Sequence, residues 1–206
     1  MTTKEKITEE ALTLFARKGY KGTSVKNIAD AVGIKAPSLY KHYKNKQAIF
    51  DAILAEMQKR YSEEAGMLNM NGKDADMDAQ KFMDISENKL VETGTKLFTY
   101  FLHDAYAGKF RKMLTIEQFH DKELAALYDK QYIDGPLEYQ GMMFTMLAAQ
   151  GVLKADDTNI MALHFYSPIY LLLTVCDRDP EKETEALKAL EKHIKQFNRL
   201  YGRSIK

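Results

Sequence analysis

The sequence predicts an all-α protein, with a short three-helix N-terminal unit built around a helix-turn-helix and a longer C-terminal helical bundle. Three observations predict it. Apolar residues recur at intervals of three and four along nearly the whole chain, while period-two alternation is rare. Only 4 prolines interrupt 206 residues, so long helical runs survive. Charge is also unevenly placed: residues 1–60 hold 12 Lys/Arg and 6 Asp/Glu, whereas the other 146 hold 18 and 23. A basic segment on a near-neutral remainder points to a module that meets a polyanion, and the hydrophobic share of 45% suffices for a real core.

The elements follow in order. A first helix is predicted over Lys4–Lys18. Thr2 and Glu5 have capping-box spacing, Ile7, Ala11, Leu14 and Phe15 share a face, and Gly19 suits a left-handed stop. Thr23 or Ser24 then caps a second helix over Val25–Val32, with Val25, Ile28, Ala29 and Val32 inward. Gly33 breaks it. Pro37 suits the first turn of a third helix that ends near Tyr43, and Asn45 caps a fourth with Ile49, Ile53, Met57 and Tyr61 in a stripe. The stretch Gly66–Asp78 reads as a loop, so domains are placed at 1–62 and 63–206. Further helices are predicted over 79–93, 95–106, 109–118, 122–133, 136–150, 158–176 and 180–201.

The segment "VGIKAPSLYKHYKNK", Val32–Lys46, carries four lysines, a histidine and two tyrosines but no acid. It belongs to a helix-turn-helix candidate at about residues 25–44. At about 100° per residue, Ala36, Leu39 and Tyr43 turn to the core, whereas Pro37, Ser38, Lys41 and Lys44 face away. Such a surface can enter a DNA major groove with Ser38 and Lys41 near base edges, while Tyr40, His42 and Lys46 reach phosphates.

The spacing of Leu14, Phe15, Lys18, Gly19, Tyr20, Thr23, Ser24, Val25, Ile28, Ala29, Gly33, Leu39, Tyr40, His42, Tyr43, Asn45, Lys46 and Ile49 resembles the N-terminal domain of TetR/AcrR-type transcriptional regulators. The resemblance covers residues 4–60 without a gap. It implies that Thr23, Ser24, Tyr40, His42 and Lys46 hold the phosphate backbone, and that Lys26, Lys35, Ala36, Pro37, Ser38 and Lys41 vary with operator sequence. Ala36 departs from members with a long polar side chain there; it can touch a thymine methyl but offers no hydrogen bond. Farther on, "MLTIEQF", "YIDGPLEYQ" and "ALHFYSPIYLLLTVCDRDP" resemble one subgroup of the family, which implies a helical ligand-binding and dimerisation domain.

The expected partners are a double-stranded DNA operator, a second copy of the chain, and a small hydrophobic or aromatic effector. Leu187, Leu190, Ile194, Phe197 and Tyr201, spaced 3, 4, 3, 4, form the expected dimer seam. Phe101, Met113, Phe119 and Met143, with His164 and Tyr166, are the expected pocket lining. Pro168 interrupts the apolar helix before the last one. No metal or other cofactor is expected, since His103, His120 and His164 lack ligand spacing. No Gly-rich phosphate loop, G-x-S-x-G or H-E-x-x-H is present, so an enzyme is not expected; a small helical enzyme or a ligand-binding adaptor are the competing readings. A lone cysteine, the lack of a signal-peptide pattern and a longest strongly apolar run of only Ile169–Cys176 lead to an expected cytoplasmic location away from membranes.

Overall fold

The protein is seen in a computed structural model that describes residues 1–67, 70 and 74–203. Helix α1 (Thr3–Lys18) opens with the expected capping box: Thr2 Oγ1 accepts from the Glu5 N–H at 3.2 Å, and Glu5 Oε2 accepts from the Thr2 N–H at 2.8 Å. Leu12 is fully buried beside Ile7, Ala11 and Phe15, while Leu14 is only partly covered. The reason is that α1 packs on two neighbours rather than one, which widens its inward face.

Helix α2 (Val25–Val32) starts at Ser24, whose Oγ accepts from the Asn27 N–H at 3.1 Å while Asn27 Oδ1 accepts from the Ser24 N–H at 2.9 Å. It ends at Gly33, in the left-handed region with φ 79°, a conformation that favours glycine. Helix α3 (Ala36–Tyr40) is shorter than predicted; the residues after it tighten, with Lys41 N–H bonding to Ser38 O and both His42 and Tyr43 to Leu39 O. Asn45 Oδ1 accepts from the Ala48 N–H at 2.8 Å and so caps α4 (Lys46–Met67), as expected.

The remaining helices are α5 (Ala75–Phe82), α6 (Glu87–His103), α7 (Ala105–Glu117), α8 (Lys122–Tyr132), α9 (Asp134–Ala149), α10 (Thr158–Arg178) and α11 (Glu183–Tyr201), with one 3-10 turn at Pro180–Lys182 before α11. Among the described residues there is no strand, only an isolated bridge between Leu153 and Gly202. Part of the predicted loop at 66–78 lies outside the described residues; Gly66 and Met67 belong to α4, and Ala75–Asp78 to α5. The predicted break at Gly94 is absent. Gly94 lies inside α6, and a Cβ there would sit 2.6 Å from Ile194 Cδ1, so the glycine serves close approach of α11 rather than a turn. The break falls earlier, where Ser86 Oγ accepts from the Lys89 N–H at the start of α6.

The chain divides into two units, Met1–Tyr61 with Asp104–Tyr128, and Ser62–His103 with Asp129–Lys206. This differs from a single cut at 62/63, because residues 104–128 group with the N-terminal helices: α7 packs against α1 and buries Phe110, Met113 and Leu114. The second unit holds two apolar clusters. One gathers Met143, Phe144, Leu147, Met161 and Phe197, and the other Phe98, Leu173, Cys176, Leu190 and Ile194. Helices α10 and α11 contribute to both. By length and composition α10 could cross a bilayer, but here it is a packing helix against α6, α9 and α11.

This arrangement corrects the expected dimer seam. Leu190, Ile194 and Phe197 are buried within their own chain, and Leu187 and Tyr201 pack partly buried against the same clusters. A 3-4 spacing marks a packing face, and α6 and α10 of the same chain already occupy this one. Leu190→Ala is therefore expected to lower the unfolding free energy by about 2–5 kcal/mol. Denaturant titrations followed by circular dichroism should show the loss at every protein concentration, whereas an intersubunit role would make it concentration-dependent.

Candidate nucleic-acid interface

The site begins at the connection between α1 and α2. Residues 19–24 turn through Gly19, whose φ of 77° is another left-handed position. The Thr23 side chain is buried and donates to Gly19 O at 2.9 Å. Lys46, the first residue of α4, donates to Tyr20 O at 2.7 Å and Thr23 O at 3.0 Å, and its ammonium lies 4.2 Å from the centre of the Tyr20 ring. Burial pushes the Lys46 ammonium below the usual lysine range, and the Glu117 carboxylate pulls the other way. Tyr20 O–H donates to Gln47 Oε1 at 2.9 Å, and its ring makes edge contacts with Phe15 and Phe50.

One expected phosphate contact, Thr23, is turned inward by this geometry, and a second, Lys46, is shared with the turn. The Thr23 hydroxyl faces inward and is committed to Gly19 O. The half-buried Lys46 ammonium gives two of its three donors to backbone carbonyls and lies over an aromatic ring. Both side chains hold the turn, since carbonyls wholly or partly out of water need donors and these two supply them.

The other expected DNA contacts are brought to one module and left accessible. Leu39 and Tyr43 are buried, which fixes the rotation of α3 as the sequence implied. Lys26, Lys35, Pro37, Tyr40, Lys41, His42 and Lys44 are exposed, Ala36 and Ser38 are partly so, and Ser24 is exposed while acting as the cap of α2. None of Lys26, Lys35, Lys41 and Lys44 has an ion-pair partner among the described residues. An uncompensated cationic surface of this kind favours a polyanion.

The expected effector lining does not come together. Met113 is fully buried in the first unit, and Phe119, also in that unit, is 78% exposed. In the second unit, Phe101 packs on the Leu173–Leu190 cluster and Met143 lies inside the Phe144–Phe197 cluster. His164 Nδ1 pairs with Tyr201 Oη at 2.6 Å, and Tyr166 O–H donates to Tyr132 O at 2.9 Å. A cleft of about 210 Å3 instead lies among Leu102, His103, Cys176, Asp177, Pro180 and Glu183, with His103 Nε2 2.9 Å from Glu183 Oε1. Buried polar groups that sequence reasoning missed include Asp78, which accepts from Tyr139 O–H at 2.5 Å, and Glu117, which accepts from the Tyr20 N–H at 2.8 Å. A signal for Glu117 existed: it falls on the face of α7 that carries Phe110, Met113 and Leu114.

A capped helix, a glycine turn and a short helix with an exposed basic face define a helix-turn-helix. Residues 7–53 match the model for bacterial regulatory proteins of the tetR family. It is 29% identical over 136 residues to the biofilm operon icaADBC HTH-type negative transcriptional regulator IcaR of Staphylococcus aureus (strain Newman), covering 63% of this chain and 72% of that one. Among solved structures, a TetR-family regulator from Mesorhizobium loti MAFF303099 superposes with a TM-score of 0.69 at 17% identity over 98% of this chain and 97% of that one. SmeT, the repressor of the Stenotrophomonas maltophilia multidrug efflux pump SmeDEF, gives 0.67 at 17% identity over 100% and 93%. Relatives and fold alike are those of transcription regulators, which are not enzymes.

Lys46→Met should lower the unfolding free energy by about 1–3 kcal/mol, since two charge-assisted hydrogen bonds and a ring contact are lost. Lys41→Ala, on the open face, should stay within about 0.5 kcal/mol of the parent. A Lys46→Met protein that melts like the parent but binds DNA more weakly would return Lys46 to a phosphate contact.

Proposed function

We propose that the chain is a ligand-responsive repressor that binds a two-fold DNA operator as a homodimer in the cytoplasm and leaves it when a small hydrophobic or aromatic effector binds the second unit. The observation that carries this reading is the open basic face of α3 and its flanks, with no acid to neutralise it. Ser24, Tyr40 and His42 are assigned to phosphates. Lys26, Lys35, Ala36, Pro37, Ser38 and Lys41 are assigned to base edges and the groove wall. The repressor sign is supported by IcaR, a negative regulator, and by SmeT, a repressor. The effector class is supported by SmeT in complex with triclosan and by FrrA, described as flavonoid-responsive; both names denote aromatic compounds.

A two-fold dimer suits a reader this short, because one recognition helix makes few contacts and two half-sites add. The surface assigned to it is the outer face of α10, where Ile160, Leu163 and Leu171 are exposed at helical spacing, joined by Leu200 of α11. Apolar side chains aligned on one exposed stripe mark a surface that is covered in the working protein.

Binding to random-sequence duplex should weaken steeply as salt rises, because phosphate contacts release counterions; a flat dependence would sink the DNA-binding reading. On a duplex selected from a random library, Lys41→Ala should cost about 1–3 kcal/mol and relax the preferred base at one position of each half-site. In sedimentation equilibrium, Leu171→Glu should shift the protein to monomer, since a charge in an apolar interface is costly to desolvate. If it remains dimeric, the outer face of α10 is not the interface.

A further inference from the structure

Glu117 ends α7 and is 3% exposed, unusual burial for a carboxylate. One oxygen, Oε1, accepts from the Tyr20 N–H at 2.8 Å, while the other is buried with no hydrogen-bond partner among the described residues. Gly19 admits this oxygen: a Cβ at that position would lie 2.2 Å from Oε1, and the backbone there has φ 77°. The same turn is gripped a second time, since Lys21 Nζ reaches Asp121 Oδ2 at 3.1 Å and His120 O at 2.9 Å, just after α7.

Tyr20 is thus held by all its polar groups. Its N–H goes to α7, and its carbonyl and hydroxyl go to Lys46 and Gln47 of α4. Four residues later Ser24 caps α2, the first helix of the helix-turn-helix. Removing a carboxylate from water is expensive, and filling the space alone would not require one. The charge also lies near the half-buried Lys46 ammonium, which it favours against the effect of burial.

We infer that Glu117 is a positioning residue for DNA reading: through Tyr20 it fixes the α1–α2 turn, and through that turn the direction in which α2 and α3 are presented. The inference rests on the DNA-binding reading above. It assigns a task in the reader to a residue 64 positions beyond the last one matched by the family model, Ile53.

The test compares the full-length parent with Glu117→Gln, which keeps the acceptor and drops the charge, and Glu117→Met, which fills the volume with no acceptor. Four readouts are needed: thermal midpoint, hydrogen exchange at the Tyr20 amide, affinity for a duplex selected by the parent from a random library, and affinity for random-sequence duplex. In Glu117→Met the Tyr20 amide should exchange about tenfold faster and the selected duplex bind about tenfold more weakly, while random duplex stays within about twofold. Glu117→Gln should restore the selected duplex to within about threefold of the parent. The inference is overturned if Glu117→Met binds the selected duplex like the parent, if random duplex weakens equally, or if Glu117→Gln falls as far as Glu117→Met. Should Glu117→Met fail to fold, Glu117→Ala is read in the same way. A parent that selects no sequence at all would remove the regulator reading, and Tyr20 exchange would still decide whether Glu117 holds the turn.

Discussion

The backbone polar groups of Gly19, Tyr20 and Thr23 lie wholly or partly out of water and need partners, and much of the N-terminal unit follows from how they find them. The turn lies against α4 and α7, so solvent cannot serve every carbonyl and amide. Thr23 supplies a donor to Gly19 O, Lys46 supplies two to Tyr20 O and Thr23 O, and Glu117 supplies an acceptor to the Tyr20 N–H. With those bonds made, Ser24 arrives in extended conformation at the start of α2 and takes up its capping box. Leu39 then seats α3 in the core, and whatever is not used for holding is left for reading.

This divides the cations into two kinds. Lys46 is chemically a lysine like its neighbours, yet its ammonium is part of the scaffold. Desolvation works against its charge, and two carbonyls, a ring face and the nearby carboxylate of Glu117 sustain it. Lys26, Lys35, Lys41 and Lys44 bear their charge in water with no partner among the described residues. A cation bound to internal carbonyls has one donor left and a fixed direction, whereas a hydrated one is free to swing and releases solvent and counterions when it meets a phosphate. The acid-free stretch Val32–Lys46 is thus less uniform than its composition suggests.

Much of the fold was legible because caps and periodicity are local. The capping box at Thr2, an N-cap at Thr23 or Ser24, the left-handed Gly33, the Asn45 cap and the inward turn of Leu39 and Tyr43 all depend on neighbours within a few residues, and the sequence carries each of them; the Asn27 half of the Ser24 box is seen only in the structure. What failed depended on distant partners. The gap between the predicted helices at 79–93 and 95–106 falls on Gly94, whose purpose is room for Ile194, 100 positions away. The 3-4 row on α11 showed that one face is packed, but nothing in the spacing states whose side chains pack it. Thr23 carries the family's phosphate role by position, and only its tertiary bond to Gly19 shows it facing inward. Pocket residues are hard to single out for a further reason: Phe, Tyr and Met suit both cores and cavities, and composition does not separate the two uses.

The same limit explains why α10 rather than α11 is the helix to follow for assembly. Along α11, polar residues such as Glu185, Lys188, Glu191 and Lys192 occupy the side opposite the buried Leu190 and Ile194, so the helix is amphipathic and completed by its own chain. Along α10, the inner side gives Met161, Ala162, Leu173 and Cys176 to the two clusters, and the opposite side still carries Ile160, Leu163 and Leu171. An amphipathic helix is finished once one face is covered, but a helix apolar on two sides is not. Covering the outer leucines would contribute on the order of 1.5–3 kcal/mol for each side chain fully removed from water, a gain repeated on both partners by two-fold symmetry. The periodic seam in the sequence thus marks a finished internal joint, and the less regular apolar helix before it keeps an unfinished one.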